Sequence, residues 1–526
     1  MNTRLLLIAV IACIGGSMPS PAMAQILSAV DVQQIVNQAS SRAAIVSPDS
    51  TIAVVDREGN VLVVWATGAA PSAQRIGDAI SRGGTACFLN SNQNALTSRS
   101  ANYLVQPNFP PGLRNRNNGP LTGVNFSNLP YSDVNRFRQQ PFPVYAVNPA
   151  VAPPIGTLGG AIRFTSLSGF CGGVPLYKNG VLVGGVGVAG DGDDTISPSA
   201  AVEPDTDEDV ALAGQKGFEP PARIRSDRIF LDGISVPYVR TSTRLPAVIA
   251  PVGAAVAGFP LLGSPLPAGY PNVNIYPPGT VAGVAGEFRA PVVTDVANAS
   301  ALRLTAADVN NIIEAAVRAA LSTRTAVRRP LGGPTSMWIA VVGRGNPNVL
   351  PLVPPPILGI FKMPDAVTRS WDFAVAKGRT CVGFSSNTKA LSSRSVGFLS
   401  QFYYPPGIND TNSGPFFGLQ PFYSDTSIVP ADLLNPSASA PNRFFANGIT
   451  IFPGGQPLYK GTELVGAIGI SGDAIDQDDL VACAGTAALR ADGLGRFTAP
   501  PAIRADAFAY RGARLPFAKF PRQPTR

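Results

Sequence analysis

The chain has 526 residues, a formal net charge of +8, only 14% charged residues, 54 glycines and 51 prolines. It contains no histidine, which excludes a Ser-His-Asp triad, histidine-ligated zinc and histidine-ligated haem, because the commonest general base and metal ligand is missing. Its arginines are scattered, without a basic run or helix face, so no nucleic-acid partner is expected, and a small anionic molecule or an acidic envelope surface fits the charge.

Residues 1–24 read as a signal peptide: Arg4 is the basic start, Leu5 to Ile14 the apolar run, and Ala22-Met23-Ala24 the small-residue cleavage site before Gln25. Cys13 offers a competing lipoprotein site, but that reading leaves too short an apolar region. A periplasmic or secreted chain is expected. No later stretch reads as a membrane span, since Pro246 to Pro265 is broken by Pro251 and Pro260. Cys87, Cys171, Cys381 and Cys483 remain after processing, with no CxxC spacing. Cys87 and Cys381 fall near corresponding positions of a repeat and read as small buried helix residues.

That repeat organises the rest. An opening amphipathic helix is expected over Val30 to Ser41 and again over Ala306 to Leu321, with Ser28 and Thr305 as N-caps and Asp31 and Asp308 three residues on. A hairpin follows, Thr51 to Val55 with Val61 to Trp65, and in the second copy Trp338 to Val342 with Val349 to Val353, weakened by Pro347 and Pro351. Helices are then expected over Ala73 to Phe88 and Ala366 to Phe384, before the blocks LTSRS at Leu96 and LSSRS at Leu391 and the Pro-Pro-Gly turns at Pro110 and Pro405. Both copies open into long Pro/Gly/Asn-rich insertions, 106–169 and 403–450, the natural lids or binding loops. Strands Val174 to Tyr177 with Val181 to Val188, and Gln456 to Tyr459 with Glu463 to Ile470, close each core within PLYKNGVLVGGVGVAGD and PLYKGTELVGAIGISGD. A last helix is expected after Asp207-Glu208-Asp209 and after Asp476-Gln477-Asp478-Asp479, and the tails match through Arg225 and Arg504, Asp227 and Asp506, Pro237 and Pro516. The division is therefore a domain over 25–246, a Pro/Gly/Ala-rich linker over 247–301 and a second domain over 302–526.

Ala53 to Asp56, Arg82 with Thr85, Gly172-Gly173-Val174-Pro175 and Val183 to Asp191, matched in the second copy by Lys377 with Thr380, Gly454-Gly455-Gln456-Pro457, Val465 to Asp473 and Gln477-Asp478, resemble the GlcG/HbpS-like family. That family is related to the PduO C-terminal domain. The resemblance implies two profilin-like α+β domains, each an antiparallel sheet of about five strands flanked by helices. It further implies a pseudo-dimer within the chain, higher homo-oligomers and, in some members, binding of haem or a related tetrapyrrole. Members often carry a histidine after the hairpin glycines, where this chain has Asn60 and Asn348, and Asp56 is replaced by Gly343 in the second copy.

Four residues are candidates for a ligand. Tyr177 and Tyr459 lie in the repeated PLYK phrase, and tyrosinate ligates ferric haem, although packing on one face of a strand, with alternation along Leu176-Tyr177-Lys178, is enough to explain them. Arg99 and Arg394, each between serines, suit a carboxylate or propionate, or else pin loop carbonyls. The acids Asp191, Asp193 and Asp194 lack an EF-hand frame, so no metal is expected there. Gly184-Gly185-Val186-Gly187 lies within a strand, where it permits close packing, and is no dinucleotide fingerprint. Without a nucleophile-base pair, the expected role is non-catalytic binding of a small anionic ligand or tetrapyrrole. The alternatives are an envelope assembly protein or an accessory subunit of an oxidoreductase.

Overall fold

The computed structural model describes residues 26–57, 61–106, 108–117, 119–121, 168–190, 202–231, 233–257, 277–328, 330–346, 355–367, 370–401, 403–417 and 449–526. The signal segment, Asn60, Asn348, the acids at 191, 193 and 194, and most of both insertions lie outside these residues.

The first repeat runs α1 (Ala29–Val46), β1 (Thr51–Asp56), β2 (Val61–Ala66), α2 (Ala73–Phe88), α3 (Ser98–Leu104), β3 (Gly173–Lys178), β4 (Val181–Ala189) and α4 (Thr206–Gln215), with a small hairpin β5 (Phe230–Leu231) and β6 (Ile234–Ser235) in its tail. The cap expectation holds in detail: the Ser28 side chain accepts from the Asp31 amide while the Asp31 carboxylate accepts from the Ser28 amide, satisfying two orphan donors of the first turn. The four main strands form an antiparallel sheet in the order β3-β4-β1-β2, extended by β7 (Ala254–Ala255). Helices α1 and α4 cover one face of it and α2 covers the other. Every residue of β1 and β2 is therefore buried, which is why these strands read as continuous apolar runs without alternation.

The second repeat repeats this plan with α5 (Ala306–Ser322), β10 (Trp338–Gly343), β11 (Ile357–Lys362), α6 (Ser370–Phe384), α7 (Ser393–Leu399), β12 (Gly455–Lys460), β13 (Glu463–Ser471), α8 (Ile475–Thr486) and a tail hairpin β14 (Ala509–Tyr510) and β15 (Ala513–Arg514). Its sheet order is β12-β13-β10-β11, extended by a hairpin of β9 (Val284–Ala290) and β8 (Pro278–Val281). Even the irregularities recur, between Val54 and Val55 as between Val341 and Val342, and between Leu176 and Tyr177 as between Leu458 and Tyr459.

The strand expected over Val349 to Val353 lies outside the described residues, and the described partner of β10 is β11, with Ile357 opposite Val342 and Lys362 opposite Trp338. Three expectations are corrected. Helix α6 starts at Ser370, beyond Pro364, rather than at Ala366. The acids 207–209 and 476–479 do not precede the last helices but form their first turns. The segment 247–301 is no passive linker: β7 adds to β2, and β8–β9 adds to β11.

The strand glycines do what close packing requires. A Cβ on Gly185 or Gly187 would fall 2.2 Å from the Gly83 carbonyl or 2.1 Å from that of Ala79, so α2 rests directly on the β4 backbone. The repeats also meet each other. Asn115 N donates to Asn409 Oδ1 (2.5 Å) and Asn409 N donates back to Asn115 Oδ1 (3.0 Å), beside an Arg114–Asp410 ion pair. Phe373 and Phe452 of the second repeat join the first repeat's hydrophobic core. Among the described residues no helix is long and apolar enough to cross a membrane.

Candidate functional site

Beneath each Gly-Gly turn lies a buried charge network. In the first repeat Arg82 of α2 donates from one terminal nitrogen to the Val188 carbonyl and to Asp207 Oδ2, both at 2.6 Å. In the second, Lys377 Nζ reaches the Ile470 carbonyl and Asp478 Oδ2, both at 2.7 Å. The carboxylates stand in the first turns of α4 and α8, where helix N-termini favour negative charge. Gly172 and Gly454 (φ +103° and +113°) bend the chain over these pairs. A Cβ at Gly454 would sit 2.8 Å from Lys377 Nζ. The returning strand of each insertion is tied in the same way: Ser168 N donates to Thr85 Oγ1 (2.6 Å) and Thr450 N to Thr380 Oγ1 (2.9 Å). Phe170 then lies over Arg82 and Phe452 over Lys377, at 5.6 and 4.6 Å.

Arg82 stays charged under any accessible condition, whereas Lys377 does not. Burial pushes the Lys377 ammonium below its ordinary range despite Asp478 beside it, and burial raises the Asp478 carboxyl to about 7. Desolvation outweighs mutual attraction in both partners. The second repeat thus holds a buried pair able to lose its charges, at a place where the first repeat holds a permanent cation.

The four residues singled out from sequence belong to this interior. Arg99 is fully buried, and its Nε donates to Glu208 Oε1 at 2.7 Å. Arg394 bridges Asp479 through Nε and Asp476 through a terminal nitrogen. Burial opposes both guanidinium charges, and the carboxylates more than restore them. Glu208 in turn accepts from the Arg240 and Thr241 amides, and Asp479 from the Gly454 and Lys519 amides. The arginines therefore sit where a brace between α3 or α7, the last helix and the tail is needed. The Tyr177 hydroxyl donates between the carbonyls of Ser91 (2.8 Å) and Asn94 (2.9 Å), and that of Tyr459 between Ser386 (2.7 Å) and Lys389 (3.2 Å). Burial raises both phenols, which disfavours tyrosinate. Each tyrosine thus ends on the carbonyls of a turn and not in an open pocket.

Sequence reading missed the helices α3 and α7, although Thr97 with Ser100 and Ser392 with Ser395 form reciprocal caps. It also missed a cleft of about 330 Å³ between β12, α8 and the tail of the second repeat, with Pro457, Thr486, Arg504, Phe517 and Phe520 among its walls. The matched tails were its available signal. Among the described residues no group of three acidic, cysteine or histidine side chains is placed to hold a metal ion.

Residues 304–487 match the family described as "Haem degrading protein HbpS-like". No curated protein matches the chain. Similar solved structures include the PduOC:Heme complex, at 20% identity over 35% of this chain and 93% of that one, with a TM-score of 0.22. Klebsiella pneumoniae ORFY, of family DUF336, is 18% identical over 38% and 96%, with a TM-score of 0.22. A double mutant of Streptomyces reticuli HbpS is 19% identical over 41% and 99%, with a TM-score of 0.19. The match to the HbpS-like family thus falls within the second repeat of this chain.

Proposed function

We propose that this chain is an exported, non-catalytic binding protein made of two HbpS-like domains, 25–246 and 302–526, that work as an intramolecular pair and take a small anionic organic molecule. The family match within the second repeat brings haem and related tetrapyrroles into consideration. The residues named from sequence do not fit haem iron: no histidine exists, the two tyrosine hydroxyls are bound to carbonyls, and Cys171, Cys381, Met337 and Met363 are buried. Arg99 and Arg394 are paired with carboxylates of their own repeat. The observation that carries the non-catalytic reading is this commitment of the repeated basic residues to buried acids, in a chain without the commonest general base.

Hemin titration followed at the Soret band tests it. The expected spectrum stays that of hemin without a protein ligand. A sharp, shifted and saturable band overturns the reading for ligation, and loss of the band with reductant and oxygen overturns it for catalysis.

A further inference from the structure

The cleft beside the second tail has a counterpart in the first repeat, and there it is filled. Gln215, at the end of α4, sends Nε2 to the Pro175 carbonyl (2.5 Å) and to the Tyr238 hydroxyl (3.0 Å), closing the space between β3 and the tail. The corresponding residues of the second repeat are Thr486 and Phe517. Thr486 is too short to cross and turns its hydroxyl to the Cys483 carbonyl (2.8 Å), and Phe517 has no hydroxyl to receive a donor. Both members of the side-chain hydrogen bond are therefore absent together, which opens a cavity and leaves only the backbone carbonyl that Gln215 also met without its counterpart donor. What is left open is an acceptor and a donor at different walls. No side chain among the described residues reaches the Pro457 carbonyl as Gln215 reaches that of Pro175. Arg504 binds Asp506 through Nε (3.0 Å) and NH2 (2.9 Å), and its NH1 edge makes no hydrogen bond among the described residues. The guanidinium lies over the Phe517 ring at 5.3 Å, and Phe520, 51% exposed, stands at the mouth.

We propose that this cleft binds a small flat carboxylic acid that also carries a hydroxyl or N–H donor. The ring of the ligand lies against Phe517 and Phe520, its carboxylate meets the open edge of Arg504, and its donor takes the place that the Gln215 amide holds in the first repeat. A volume of about 330 Å³ lies at the lower end of small-molecule sites, roughly 300 to 1,000 Å³, and suits one ring. The site rests on the reading of the chain as a binding protein but not on haem. Its tail walls lie beyond residue 487, outside the family match.

The test uses 4-hydroxybenzoate with the full chain, measured by calorimetry. One equivalent is expected to bind, and 4-hydroxybenzamide, which lacks the charge, is expected to bind about tenfold or more weakly, as loss of one charge-assisted hydrogen bond implies. The Thr486→Gln/Phe517→Tyr variant rebuilds the plug of the first repeat and is expected to lose binding by at least about tenfold with its circular dichroism unchanged. Absence of saturable binding at millimolar 4-hydroxybenzoate, equal affinity for the amide, or wild-type affinity in the plugged variant overturns the proposal. Should the plugged variant not fold, alkylation of Cys483 by iodoacetamide in the wild-type chain, read by peptide mass, decides instead. The ligand is expected to slow it, and an unchanged rate overturns the site. Failure of the hemin titration leaves these outcomes untouched.

Discussion

Replacing Asp478 by Asn should remove a pH dependence of stability that the wild-type chain carries between about pH 4 and 7. Asp478 is 2% exposed, and its carboxyl moves from 3.8 to about 7 because burial disfavours its charge more than Lys377 favours it. The folded state then holds this proton more tightly than the unfolded chain does. Stability from this group is greatest at the acid end of the window and declines as pH rises, levelling off once the folded carboxyl has ionised. At about 1.36 kcal/mol per pH unit, the interval from pH 4.5 to 7 corresponds to a decline of about 3 kcal/mol. Lys377 acts in the opposite sense, since a depressed ammonium restores stability only as pH climbs toward its ordinary 10.5. Asn keeps an acceptor for Lys377 and cannot titrate. Urea unfolding of both proteins at pH 4.5, 5.5, 6.5 and 7.5 should therefore show the stability of the wild type relative to the variant falling by about 3 kcal/mol as pH rises across the series. A difference that is constant with pH would refute the claim that Asp478 is desolvated by the fold.

The other consequences are simpler to state. Arg99→Lys should destabilise the fold by about 2 to 4 kcal/mol, since ammonium does not reproduce the guanidinium contact with buried Glu208, while 4-hydroxybenzoate affinity, read on the folded variant, stays at the wild-type value. Gly454→Ala should cost about 3 kcal/mol or more, because its φ of +113° and the approach of Ile470 O, Asp478 and Lys377 leave no room for a methyl group; a melting temperature within 2 °C of wild type would contradict this. Tyr177→Phe should lower stability by about 1 to 3 kcal/mol through the carbonyls left without a donor, and chemical denaturation would register it.

Local signals carried far in this chain. Ser28 with Asp31 and Thr305 with Asp308 act within one helical turn, and the structure forms both capping boxes. The turn at Lys178-Asn179-Gly180 joins β3 to β4 where its chemistry requires, with Asn179 at φ +50° and Gly180 at +80°. What escaped was long-range. Arg99 looks like an exposed anion trap until Glu208, 109 positions away, is folded beside it, and no local pattern announces that pairing. The strand at Ile357–Lys362 depends on β10, Trp338–Gly343, as its partner, and that pairing is set across the sheet and not by neighbouring letters. The segment 247–301 was legible as Pro- and Gly-rich, but whether such a segment hangs free or adds strands to a sheet depends on the edge it meets, here β2 and β11.

The pairing of Asn115 with Asn409 joins two halves that share one plan within one polypeptide. In an assembly of two identical chains, every substitution is made twice, so a mutation that hollows one subunit hollows the other and weakens both at once. A covalently fused pair escapes that constraint. Gln215 and Tyr238 can go on sealing one half while Thr486 and Phe517 leave the other open, and likewise a permanent cation can hold Asp207 while a titratable one holds Asp478. Joining both halves in one chain thereby lets one keep a sealed interior while the other differs from it at the same positions.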